Sequence, residues 1–207
     1  MSLNQSKPRR GRPPKIQREQ QDTRALLLRS GLEQLPQSGF VSSGMEPILT
    51  KVGVPTGSFY HYFDSKEAFG LAVLTEYDHY FQGKLLTHLH NHSLAPLERI
   101  QAFVEDAKHG MQRHQFKRGC LVGNLGQEIV DLPDSFRNKI NEIFRSWEEH
   151  IAVCLSQAKR HHQCHPSVNC QQLAEVFWIG WEGAVSRAKL TQSCVPMENF
   201  VSHFLDS

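Results

Sequence analysis

The sequence predicts an all-α fold: an N-terminal three-helix unit with helix-turn-helix layout, followed by a larger helical domain. Three observations carry that reading. Apolar residues recur at three- and four-residue intervals in one segment after another. Start and stop signals separate those segments, with Ser or Asp before them and Gly or Pro after them. No stretch alternates apolar and polar residues over the length of a strand, and no internal repeat is present.

The first 17 residues are polar, basic and rich in Pro and Gly, which predicts a disordered arm. A first helix is expected over about 18–35, with Ala25, Leu28, Leu32 and Leu35 on its buried face. Pro36 and Gly39 should end it. Met45, Ile48, Leu49 and Val52 fall at i, i+3, i+4 and i+7, marking a short second helix. Ser43 and Glu46 have capping-box spacing at its start, and Gly53 with Pro55 breaks it. A third helix is expected over about 56–63, where small and hydroxylated residues stand beside aromatics. Asp64 and Glu67 repeat the capping-box spacing. They open a long helix to about residue 90, with Phe69, Val73, Tyr77, Tyr80 and Phe81 spaced for burial.

Beyond a connection over 91–96, Leu97, Ile100, Val104, Ala107 and Met111 form a further amphipathic stripe. Lys117-Arg118-Gly119 interrupts the pattern before Cys120, and a shorter helix follows over about 121–130. Pro133 starts a long helix to about residue 160, with Phe136, Ile140, Ile143, Trp147, Ile151 and Cys154 on one face. A polar loop, a last long helix over about 168–190 and a short helix after Pro196 complete the chain. The expected organisation is a basic arm (1–17), a helix-turn-helix DNA-binding domain (18–64) and a ligand-binding and dimerisation domain (65–207).

Composition excludes several classes. No apolar run approaches the roughly 18 residues that span a bilayer, so no membrane partner is expected. The N-terminus has no apolar signal region. The five cysteines are odd in number and lack framework spacing. A reducing cytoplasm with free thiols is the expectation. The formal net charge of +2 hides an asymmetry: residues 1–66 hold ten Lys and Arg against five acids, and residues 67–207 hold thirteen against sixteen. Positive charge beside a helix-turn-helix suits a phosphate backbone, so double-stranded DNA is the expected partner. For the arm alone, a solvated tail is the competing reading.

In a helix-turn-helix, the second helix of the motif enters the major groove with its N-terminal residues against base edges. Thr56 and Ser58 can bond bases or phosphates, and Gly57 lets the backbone approach closely. Tyr60 and His61 can reach phosphates or thymine methyls. Lys66, at a helix start, is placed for a phosphate and Ser43 is a further expected DNA contact, whereas Phe59 and Phe63 are expected in the core. Arg9-Arg10-Gly11-Arg12-Pro13 resembles the core of an AT-hook, in which Arg10 and Arg12 would lie in a narrow minor groove. A generic electrostatic arm is the alternative.

The larger domain offers candidate walls for a ligand cavity. These are Tyr77 and Tyr80, then Arg118, Cys120, Asn124 and Glu128, then Trp178, Trp181, Glu182 and Lys189. Trp178, Glu182, Val185 and Lys189 share one helical face. A Glu and a Lys on an apolar helix are costly to bury unless paired or bound. Lys189, Arg118 or Arg113 could hold a ligand carboxylate, or Glu182 could form a structural ion pair. Cys120 follows two cations and begins a helix, which favours a thiolate; the alternative is a small buried residue filling space. His161, His162, Cys164, His165 and Cys170 crowd a polar loop without zinc-motif spacing, so a solvated loop is expected and no metal or cofactor. Gly180, Gly183 and Ala184 would admit a second helix. With Phe136, Ile140, Phe144 and Phe177 they could form a dimer interface or the monomer core.

Ile48, Gly53, Val54, Gly57, Ser58, Phe59, Tyr60, Tyr62, Phe63, Lys66 and Glu67 lie within the strings GVPTGSFYHYF and SKEAF or just before them. This ordered set resembles the TetR family of dimeric transcriptional repressors, closely over residues 20–70 and by helix pattern beyond. Val52 stands where that family commonly has alanine, and Thr56 where it frequently has lysine. The strings KRGCLVGNLGQE (117–128) and AEVFWIGWEGAVSRAKL (174–190) are similar to acrylate-responsive and electrophile-sensing members of the family. The resemblance implies a homodimer joined through a four-helix bundle and a pseudo-palindromic operator. It also implies an inducer that releases the DNA, either a small unsaturated carboxylic acid such as acrylate or an electrophile. Cys120 matches the reactive cysteine of the electrophile sensors, and Lys189 matches a lysine near it. A non-sensing architectural DNA-binding protein is the alternative. An enzyme is not expected, because Cys120 lacks a positioned His and the chain lacks a phosphate-cradling Gly loop.

Overall fold

The computed structural model describes residues 15–206, which contain helices and no strand. The helices are α1 (Lys15–Ser38), α2 (Glu46–Lys51), α3 (Lys66–Leu89), α4 (Pro96–Arg113), α5 (Leu121–Gln127), α6 (Asp134–Arg160), α7 (Cys170–Thr191) and α8 (Val195–Asp206). Tight 3-10 turns span Thr56–His61 and Ile129–Asp131. Arg10 and Arg12 lie outside the described residues.

Helix α1 runs through Pro36 rather than ending before it. A proline near the end of a helix removes only one of its last hydrogen bonds, so the chain continues to Gly39. There φ is +76° and the amide bonds Leu35 O at 3.0 Å, a left-handed stop that favours glycine. Leu27, Leu28 and Leu35 are buried, while the expected Ala25 is exposed. Gly31 brings α1 against α3: a Cβ there would sit 2.7 Å from Val73 and 2.8 Å from Phe69.

The expected Ser43–Glu46 capping box does not form. Ser43 Oγ turns back to Gly39 O, and Ser42 Oγ donates to Ser38 O at 2.6 Å. Both hydroxyls are used by the end of α1, and α2 starts after Met45 without a side-chain cap. Ser30 ties the two helices together through a buried bond from its Oγ to Ile48 O at 3.1 Å. The expected third helix is a six-residue 3-10 turn, entered from extended Pro55. It is short because Phe59 and Phe63 both insert under it, where they meet Phe69 edge-on at 5.8 and 5.0 Å. The cap of α3 is shifted by one residue from the Asp64–Glu67 expectation: Ser65 Oγ accepts from Ala68 N at 3.0 Å.

The α6 stripe is buried as expected, from Phe136 to Cys154. Trp147 on that stripe donates to Asp78 of α3 at 2.8 Å, and Gln82 bonds the same carboxylate. Asp78 is thereby buried with its oxygens satisfied. Trp147, Trp178, Phe81 and Phe103 meet at centroid distances of 4.2–6.1 Å, forming the centre of the larger core. Arg99 fastens α4 to α6 through Gln157 Oε1 at 2.6 Å.

Phe136, Ile140 and Phe177 are buried within the single chain, so the structure assigns them to the monomer core. Gly180 serves the chain itself: a Cβ there would lie 2.2 Å from Phe200 of α8. The large apolar side chains that α6 and α7 leave exposed are Val153, Val176, Ile179 and Leu190.

Candidate nucleic-acid interface and ligand cavity

Thr56, Gly57, Tyr60 and His61 stand exposed on the turn after Pro55, with Ser58 half-buried beside them. Tyr60 is 66% exposed, although its ring touches Phe59 edge-on, so the protein presents an aromatic it does not bury. A Cβ on Gly57 would meet nothing within 4 Å. Two expected contact residues are committed inside the protein instead. Ser43 bonds Gly39 O. Lys66 Nζ donates to Phe40 O at 2.9 Å and lies 4.7 Å from the Phe40 ring centre. The bond and the ring contact fix the ammonium against the α1–α2 connection rather than leaving it to a phosphate.

A cavity of about 520 Å³ opens between α1, α3, α4 and α7 and the start of α5. Tyr77, Tyr80, Arg118, Cys120, Trp181 and Glu182 line it, as expected from sequence. The mouth is cationic. Arg29, Lys84, Arg113 and Arg118 stand there with Glu33 and Asp106. Those two acids are already tied to neighbours, Glu33 to Lys51 and Asp106 to Lys84 at 2.7 Å. Burial and the nearby charges of Arg118 and Arg113 hold the pKa of His114 down, which marks the mouth as positive. The left-handed residues Gln115 and Phe116, with φ of 52° and 56°, turn the chain so that Arg113 and Arg118 face the same opening. Arg113, one of three alternatives for a ligand carboxylate by sequence, lines the cavity.

The floor is different in character. Tyr77 from α3, Cys120 at the N-terminus of α5 and Glu182 from α7 form one enclosed cluster. Burial pushes the Cys120 thiol well up, and Glu182 adds to the effect. Of the two readings of Cys120, this supports the small buried residue over the thiolate: Lys117 and Arg118 precede it in sequence, but its Sγ turns inward, accepts from Gly123 N at 3.4 Å and faces a carboxyl group. Burial likewise raises the Tyr77 hydroxyl, and it raises Glu182 to about 7 against the bond from Cys120.

Four expected walls lie elsewhere. Trp178 is 2% exposed and sits behind the cavity in the aromatic core. Asn124 is not on the cavity wall; it donates to Pro36 O at 2.9 Å. Lys189 does not line the cavity; its stem packs over Gly119, where a Cβ would sit 2.8 Å from Cδ. Glu128 reaches the DNA-binding head. Its carboxylate accepts from Phe40 N at 2.9 Å and Val41 N at 2.8 Å. Gly39 is doubly required there, because a Cβ would lie 2.2 Å from Glu128 Oε1. The sequence signal for this link was the acid after α5, which proximity to Cys120 had suggested for the cavity. Among the described residues, no three His, Cys, Asp or Glu side chains come together as a metal site, and no helix is long and apolar enough to cross a membrane.

A helix-turn-helix head on an all-α body with an internal cavity defines a DNA-binding transcription regulator. Residues 27–73 match the family described as bacterial regulatory proteins, tetR family, and residues 96–204 match the tetracyclin repressor-like C-terminal domain. The transcriptional regulator AcuR of Cereibacter sphaeroides is 44% identical over 201 residues, 96% of this chain and 90% of that protein. The HTH-type transcriptional repressor NemR of Escherichia coli K12 is 32% identical over 182 residues, 88% of this chain and 92% of that protein. The crystal structure of a regulatory protein TetR from Rhodobacter sphaeroides has a TM-score of 0.86 at 43% identity, covering 89% of this chain and 97% of its own. That of the reduced form of E. coli NemR has a TM-score of 0.77 at 33% identity, covering 88% and 95%. The chain belongs to the TetR family of transcription regulators, which are DNA-binding proteins and not enzymes.

Proposed function

We propose that this protein is a repressor released from a pseudo-palindromic operator when a small unsaturated carboxylic acid such as acrylate fills the cavity. The observation that carries the reading is α5. Its N-cap, Cys120, lies on the cavity floor, and the residue after its end, Glu128, grips the amides of Phe40 and Val41 in the DNA-binding head. A ligand that shifts the start of this seven-residue helix shifts the head with it. The cationic mouth, with Arg113 and Arg118, favours an anion. An acid is preferred to an electrophile because the buried thiol is held protonated, and a thiol is a poor nucleophile.

Thr56, Gly57, Ser58, Tyr60 and His61 form the major-groove surface, and Arg10 and Arg12 of the arm add a minor-groove contact. The exposed Val153, Val176, Ile179 and Leu190 supply the apolar face of a homodimer, which acts on chromosomal DNA in the cytoplasm. The test is a titration of labelled upstream DNA with purified protein, with and without sodium acrylate. The expected effect is a loss of DNA affinity of about tenfold or more. If neither acrylate nor other small acids and electrophiles alter DNA affinity, the protein is an architectural binder that senses nothing.

A further inference from the structure

The cavity holds a polar atom that the protein leaves without a partner. Glu182 Oε1 is enclosed and makes no hydrogen bond. Its Oε2 lies against the first turn of α5, where a Cβ on Gly123 would sit 1.8 Å away, and the Cys120 thiol faces the same carboxyl. One turn earlier on the same face of α7, Trp178 Nε1 is also enclosed and unpartnered. Buried polar groups in folded proteins are almost always satisfied. Two orphans one turn apart, one of them on a cavity wall, mark a place that a ligand completes.

The character of the missing group follows from what faces Glu182. Tyr77 of α3 offers a hydroxyl and Cys120 of α5 a thiol, both kept neutral by burial. The charged groups Arg29 and Glu33 of α1, Lys84 of α3, Asp106 and Arg113 of α4, and Arg118 line the mouth, with His114 beside them. Burial raises the pKa of Glu182 to about 7, so near neutral pH a large share of the molecules carry a proton there. A protonated carboxyl offers one donor, and a donor needs an acceptor. The cavity is also much larger than a three-carbon acid, so position within it has to come from specific polar contacts.

We propose that Glu182 is the specificity-determining residue of the cavity: as a neutral acid it donates to the carboxylate of the ligand. This rests on the reading that a small carboxylate is the inducer. The ligand anion, an ionised Glu182 and one proton from solvent combine into a carboxyl–carboxylate pair that shares a single negative charge. Two ionised carboxylates could not occupy the enclosed floor together. Binding therefore takes up close to one proton where Glu182 is ionised in the free protein.

The experiment is calorimetric titration of the full-length protein with sodium acrylate across the neutral range, in buffers of differing ionisation enthalpy. The expected result is proton uptake that grows with pH, and an affinity that falls about tenfold per pH unit above roughly pH 7. Glu182→Gln, whose amide donates without titrating, should bind acrylate with no proton uptake and a flat pH profile. Acrylate binding with no proton uptake by the wild type overturns the inference and leaves the inducer reading standing. So does a Glu182→Gln variant that keeps the wild-type pH slope, because another titrating group then sets it. No acrylate binding at any pH overturns the inducer reading and this inference with it. The wild-type proton count needs no variant, so it decides the matter even if Glu182→Gln folds poorly.

Discussion

Gly57 has no packing reason to be glycine. A Cβ there meets nothing, and its φ is outside the left-handed region. Gly57→Ala should leave unfolding free energy within about 0.5 kcal/mol, because no contact is lost and no strain is introduced. Its methyl group would stand where the backbone approaches DNA, so operator affinity should fall about tenfold or more, read by fluorescence anisotropy. Unchanged affinity would move the DNA surface elsewhere. Glu182 supports a second prediction. Its folded pKa, about 7, is raised above the ordinary glutamate value of 4.5. The folded state therefore holds this proton more tightly, and stability declines as pH rises from about 4.5 through 7. Chemical denaturation should show wild type losing up to about 3 kcal/mol relative to Glu182→Gln across that window. A constant difference would mean that Glu182 is solvated.

Helix α5 shows how much a short element can connect. It has seven residues, with a buried thiol at one end and a carboxylate holding two amides of the DNA-binding head just past the other. Asn124 adds a bond from its middle to Pro36 O. Glu128→Ala should reduce stability by about 1–2 kcal/mol, since the freed amides are only partly buried and regain water. Its larger expected effect is on coupling: acrylate affinity stays within about twofold while the ratio of DNA affinities with and without acrylate moves toward one. Paired binding titrations would show this, and a preserved ratio would place transmission outside α5. The sequence marked α5 as a separate helix after a break, and its length was nearly right. It did not show where the ends reach, because Phe40 and Glu128 are 88 residues apart. Cap assignments near the head were displaced by a residue or lost for a similar reason. Ser42 and Ser43 had a nearer acceptor at the end of α1 than the spacing rule allows for.

For the whole molecule, the open question is the outer face of α6 and α7. Val176 and Ile179 on α7 are 54% and 69% exposed, alongside Val153 at 56% on α6. A partner copy would cover this face, and two-fold symmetry would place the two heads for paired half-sites. Ile179→Asp should give a monomer by analytical ultracentrifugation at micromolar concentration, with helical circular dichroism retained because the side chain touches no core. Operator affinity should fall by about two orders of magnitude as the two heads lose their linkage. A variant that stays dimeric would assign the interface to another surface.

What the sequence determined alone was local or periodic. The helix order followed from apolar spacing, and the buried stripe from Phe136 to Cys154 on α6 came out as read, because side-chain direction repeats with the helix turn. The segment Thr56–His61 was legible in part: Phe59 is buried and Tyr60 and His61 are exposed as read, but a 3-10 turn stands where a helix was expected. The tertiary structure decided whatever depends on which elements meet. Sequence neighbours suggested a thiolate at Cys120, but α7 brings Glu182 to it and burial keeps it protonated. The same spacing that put Trp178, Glu182 and Lys189 on one face could not say that only Glu182 lines the cavity. Charge and burial at a site are sums over elements far apart in the chain, and no window along the sequence contains them.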